Sequence, residues 1–118
     1  MPALPEGRAP RPAREPVHVL LRGMSGVTEA AIRVHVLVTG IVQGVFFRDT
    51  CREQARREGV GGWVRNRSDG SVEAEFEGPA AAVDRLVAWC HAGPARAVVE
   101  AVDVTMVPTC GDHRFRIR

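Results

Sequence analysis

From residue 31 onward, apolar and polar positions alternate in short blocks whose period changes from block to block. Ile32, Val34, Val36 and Val38 recur at every second position over residues 32–39, the period of a half-buried strand. Over residues 47–58 the spacing becomes helical, with Phe47, Cys51 and Ala55 on one face and Gly59 as the stop. Two strands are predicted next, over residues 62–67 and 71–77, joined by the turn signal Ser68-Asp69-Gly70. In the second of these, Val72, Ala74 and Phe76 are expected to face a core, and Glu73, Glu75 and Glu77 to face water. Gly78-Pro79 breaks that strand and opens a second helix, whose stripe of Val83, Leu86, Val87 and Cys90 runs until Gly93-Pro94. Residues 98–107 form a fourth strand, and residues 115–118 leave room for a short fifth. The order is βαββαβ. Right-handed crossovers on that order give an antiparallel sheet with both helices on one face, the α+β ferredoxin-like sandwich.

The first 30 residues follow no such pattern. Five of the eight prolines (Pro2, Pro5, Pro10, Pro12 and Pro16) fall there, so residues 1–30 are expected to be a disordered or loosely extended Pro/Arg-rich extension on a domain spanning residues 31–118. Met24 offers a second candidate translation start. A length of 118 residues with 45% hydrophobic content suits one domain with a modest core. No run approaches the ~18 apolar residues of a membrane span, and the apolar stretch of residues 17–21 is too short for a signal peptide. A cytoplasmic protein is expected.

Charge and cysteines narrow the chemistry. The net charge of +2 demands neither a nucleic acid nor an anionic membrane as partner. All 16 basic residues are Arg, a bias that extends to plain surface positions and fits genome composition. Cys51, Cys90 and Cys110 lack the spacing of a zinc site or a disulfide framework, and the first two fall on the apolar stripes of the helices. Neither a metal nor a cofactor is expected.

The chemistry-bearing segment is residues 40–48, Gly-Ile-Val-Gln-Gly-Val-Phe-Phe-Arg, between the first strand and the first helix. A strand-to-helix turn aims several backbone N–H groups at one spot, and the helix adds partial positive charge there. Gly40 and Gly44 permit close approach and positive φ. Arg48 supplies a planar fork of donors matched to phosphate oxygens.

The run Val38-Thr39-Gly40-Ile41-Val42-Gln43-Gly44-Val45-Phe46-Phe47-Arg48, followed by Gly62-Trp63-Val64-Arg65-Asn66 and then Gly70, Val72 and Gly78, resembles the acylphosphatase family over roughly residues 32–118. The resemblance implies hydrolysis of the carboxyl-phosphate bond of an acyl phosphate without metal or cofactor. It implies that Arg48 binds the phosphoryl group and that the loop of Gln43, Gly44, Val45, Phe46 and Phe47 cradles it through backbone N–H groups. Asn66 would then orient the attacking water. The chemistry fits those residue types. A carboxylate leaves without a general acid, so the task is to position groups and stabilise charge on equatorial oxygens. Asn66 both donates and accepts but is too weak a base to take a proton before attack, which makes the substrate phosphate the acceptor, the family's proposed substrate-assisted route.

Other readings attach to the neighbouring residues. Arg65 and Arg67 are expected to be solvated, Arg52, Arg56 and Arg57 to form the wet side of the first helix, and His18, His35, His91 and His113 to be structural or exposed. Trp63 and Phe46 are expected to pack. Asn66-Arg67-Ser68 is formally a glycosylation sequon. Two other functions share the predicted fold: a non-catalytic phosphate- or carbamoyl-phosphate-binding domain, and an RNA-binding module. The second requires paired aromatics on the central strands, where this chain has a row of glutamates. A small-molecule acyl phosphate is therefore the expected partner, with no nucleic acid or membrane, and a monomer the expected state.

Overall fold

The computed structural model describes residues 30–118; the expectations for the extension, Met24 and His18 lie outside them. Strand β1 (Ala31–Ile41) leads into helix α1 (Phe47–Glu58), strands β2 (Gly61–Asn66) and β3 (Val72–Pro79), helix α2 (Ala80–Ala92), strand β4 (Val98–Val107) and strand β5 (Phe115–Ile117). The strands form one sheet in the order β4-β1-β3-β2-β5. The first four strands pair antiparallel as expected, while β5 runs parallel to β2 and makes the sheet mixed. Phe115 holds β5 in place, buried and stacked on Phe76 with ring centroids 5.8 Å apart.

The alternation in β1 sends Ile32, Val34, Val36 and Val38 into the core. They meet Val72, Ala74 and Phe76 of β3, Phe47, Cys51 and Ala55 of α1, and Val83, Leu86, Val87 and Cys90 of α2. The helices thus cover one face of the sheet, each burying the stripe that its 3.6-residue period defines. Burial pushes the Cys90 thiol up to about 12 and raises that of Cys51 well above its ordinary value. Both are packing residues. Among the described residues, no helix is long and apolar enough to cross a membrane.

The opposite face corrects one expectation. Glu73 and Glu77 do not face water; both are buried, in ion pairs that tile the sheet. Arg33, itself buried, reaches Glu75 Oε1 at 2.7 Å and Glu77 Oε1 at 2.8 Å. Arg65 Nη2 and His35 Nε2 meet the two oxygens of Glu73 at 2.7 and 2.6 Å. Strand alternation correctly places these side chains off the apolar face. It does not reveal that arginines on neighbouring strands lie across the same face and cover the glutamates.

Glu77 also accepts the backbone N–H groups of Cys110 at 2.9 Å and Gly111 at 2.8 Å, which ties the segment after β4 to the sheet. Burial alone would raise this carboxyl, but the Cys110 N–H, the Arg33 guanidinium and the Gly111 N–H outweigh it and hold it at about 2, against an ordinary 4.5. A depressed carboxylate contributes stability that is complete above about pH 4.5 and is lost as pH falls toward 2. Glu77→Gln is therefore expected to lower stability by about 2–3 kcal/mol near neutrality, with the gap from wild type closing in acid. Urea unfolding of both proteins across that range checks this, and a gap independent of pH would contradict it.

Candidate functional site

The turn between β1 and α1 is shaped by alternation of a different kind. Val42, Val45 and Phe47 are buried, and Phe47 packs on Trp89 with centroids 5.0 Å apart. Between these anchors, Gly44, Phe46 and Arg48 point outward. Just before the turn the β1–β4 ladder shifts register between Thr39 and Gly40, and pairing then continues to Ile41 opposite Val98. Gly40 has φ 126°, and a Cβ there would overlap the Val98 carbonyl oxygen, so this close approach requires glycine. Gly44 has φ 75° with open space beside it, so here the constraint is the backbone conformation.

Phe46 departs from expectation. It was expected to pack, yet it is 70% exposed and adopts the left-handed conformation, φ 65° and ψ 27°, as the residue preceding α1. For a bulky non-glycine residue this backbone costs on the order of 1–2 kcal/mol. The burial of Val45 and Phe47 on either side holds it there. Its carbonyl accepts the Thr50 N–H at 3.1 Å and so starts the helix.

The conformation gathers unsatisfied donors. The backbone N–H groups of residues 43–48 find no protein acceptor among the described residues. The Arg48 side chain is exposed at the first turn of α1 and likewise has no hydrogen bond or ion pair among the described residues. Unpaired N–H groups beside a guanidinium at a helix start are the donors that suit an anion.

Asn66 ends β2 directly alongside. It lies on the same face as Val64, which is fully buried, pairs across the ladder with Val72, and is half-buried with no side-chain hydrogen bond among the described residues. A cavity of about 330 Å³ is lined by Val42, Gln43, Gly44, Phe46, Phe47, Arg48, Asp49 and Asn66. The two segments singled out in the sequence therefore meet. Val45, the remaining loop residue of the expected set, turns its side chain inward as an anchor.

Gln43 has a role that the sequence did not reveal. Its side-chain Nε2 donates to the carbonyl oxygens of Arg67 at 2.7 Å and Ser71 at 2.9 Å, the two residues that bracket the turn after Asn66. The same carbonyls accept the Gly70 and Arg67 N–H groups, and Asp69 Oδ1 accepts the Ser71 N–H at 3.0 Å and hydroxyl at 2.6 Å. The amide thus straps the anion loop to the hairpin that carries Asn66. Only the backbone N–H of Gln43 remains for a ligand.

The other arginines and aromatics sort by contact. Arg65 is committed to Glu73, while Arg67 lies 3.6 Å from Asp69. Trp63 sits half-exposed on the ion-paired face between Arg118, 4.4 Å from its ring centroid, and Arg65, at 5.7 Å. His91 Nδ1 contacts the Val87 carbonyl at 3.1 Å. Among the described residues, no group of three His, Cys, Asp or Glu side chains is placed to hold a metal ion.

A ferredoxin-like sandwich with an anion loop at the first strand-to-helix turn and an amide at the end of β2 defines a class of small phosphate-handling domains. The acylphosphatase family model matches residues 34–117, and the chain belongs to that family. It is similar to an acylphosphatase of Rubrobacter xylanophilus, 61% identical over 73% of this chain and 79% of the relative. It is also similar to one of Haloquadratum walsbyi, 51% identical over 78% and 99%. The solved structure of an acylphosphatase from Coxiella burnetii superposes with a TM-score of 0.72 at 36% identity, covering 75% of this chain and 93% of that one.

The Gln43 strap yields a direct test. Gln43→Met keeps the side-chain length and removes both donors, so it is expected to lower stability by about 1–2 kcal/mol and to weaken inorganic phosphate binding severalfold. Urea unfolding and titration calorimetry measure the two effects. Unchanged phosphate affinity would show that the loop keeps its shape without the strap.

Proposed function

We propose that this chain hydrolyses acyl phosphates to a carboxylate and inorganic phosphate by direct attack of water, with Arg48 and the loop N–H groups holding the phosphoryl group and Asn66 directing the water. The observation that carries this reading is the joint exposure of Arg48 and Asn66 to one cavity, each without a partner among the described residues. A guanidinium and an array of N–H groups fixed in advance suit the charge that builds on the equatorial oxygens during phosphoryl transfer.

The step balances without another reactant. The water oxygen forms a bond to phosphorus as the bond from phosphorus to the acyl oxygen breaks, and the electron pair leaves on the carboxylate. The water proton passes to a phosphate oxygen. Asn66 accepts from and donates to water but holds no proton of its own to exchange, so its work is alignment. Cys51 and Cys90, with thiols raised by burial, take no part. Three free thiols favour a reducing cytosol as the setting.

Benzoyl phosphate hydrolysis in the presence of EDTA tests the proposal. The wild-type protein is expected to turn over under these conditions, and Arg48→Gln to lose more than ~10²-fold in turnover. A requirement for added metal, or near-normal activity in the variant, would overturn it.

A further inference from the structure

The phosphate cavity opens onto a larger groove. Phe46 and Asp49 line both, and the groove continues along α1 with a volume of about 750 Å³ past Arg52, Glu53, Arg56 and Arg57. Arg48, Arg52 and Arg56 are spaced four residues apart, which places them on one helix face with about 6 Å of rise between successive members. The first belongs to the phosphate cavity, and the next two lead away from it.

Three other arginines are committed to carboxylates, and those of the groove are not. Arg33, Arg65 and Arg85 each reach a carboxylate oxygen at 2.7 or 2.8 Å. In the groove, Arg52 comes no closer than 3.8 Å to Asp49. Arg56 only approaches the Phe115 carbonyl at 3.5 Å, and Arg57 has no hydrogen bond or ion pair among the described residues. At the junction stands Phe46, an exposed ring on a strained backbone, which packing of its own side chain does not account for.

We propose that the groove along α1 is the acyl subsite. It selects acyl phosphates that carry a flat apolar segment next to the carbonyl and an anionic group about one helix turn farther on. The ring of Phe46 takes the apolar segment, and Arg52, backed by Arg56, takes the distal anion. This deepens the proposed function and rests on it.

The test is an internal competition between benzoyl phosphate and 4-carboxybenzoyl phosphate at low ionic strength. The ratio of their kcat/KM values does not depend on how much protein is folded. The wild type is expected to favour the carboxylated substrate roughly two- to fivefold, the size of an exposed charge pair. The preference is expected to fade in ~0.5 M salt, through screening, and to fall to about one in the R52Q/R56Q double variant. Equal rates for the two substrates in the wild type, or an unchanged ratio in the variant, would overturn the acyl subsite and leave the hydrolytic reading intact. Hydrolysis of neither substrate would overturn both.

Discussion

The pairing of β1 with β3 is the constraint on which the site depends. It runs from Ala31 opposite Pro79 to Val38 opposite Val72, with Val34, Val36 and Val38 fully buried behind it. A slip of one residue would turn those valines out and Arg33 and His35 into the core, so the register is strongly specified. Fixing Val38 opposite Val72 also fixes where β1 ends, beside the hairpin that follows Asn66. Gln43 and Arg67, 24 residues apart in sequence, are thereby brought to the same end of the sheet, and the Gln43 amide completes the join.

The opposite face of the same pairing explains why so many charges sit under cover. Arg33 and His35 on β1 face Glu73, Glu75 and Glu77 on β3, and the contacts knit the strands together where no helix covers them. A buried guanidinium with two carboxylates and further hydrogen bonds is costly to leave half-paired. A one-residue slip would leave it so, and the network therefore supports the same register as the valines. Arg48, Arg52, Arg56 and Arg57 lie outside this network, on α1 beside the cavity.

Much of this was legible in the sequence because it depends on local period and local chemistry. The valines of β1, the stripes of both helices and the turn at residues 68–70 announce themselves by spacing. Gly40, Gly44, Arg48 and Asn66 announce themselves by residue type within two motifs. What stayed hidden depends on the direction of single side chains and on long-range register. Phe46 reads as a packing residue because hydrophobicity says nothing of a left-handed backbone that aims the ring at solvent. The sequence places the Gln43 backbone in the loop but leaves its side chain unassigned, because the partners of that amide, two carbonyls, carry no sequence identity. Glu73 and Glu77 read as wet because burial by arginines on neighbouring strands leaves no periodic trace.

The division of labour between the two halves of the site is the central claim: the loop and Arg48 hold phosphate, and Asn66 directs water. Asn66→Ala separates these roles when turnover of benzoyl phosphate and competitive inhibition by inorganic phosphate are measured on the same preparation. Water is engaged only in the chemical step, so turnover should fall steeply while the inhibition constant for phosphate stays close to wild type. A weakened inhibition constant with turnover unchanged would contradict the account, because it would place Asn66 among the groups that hold phosphate.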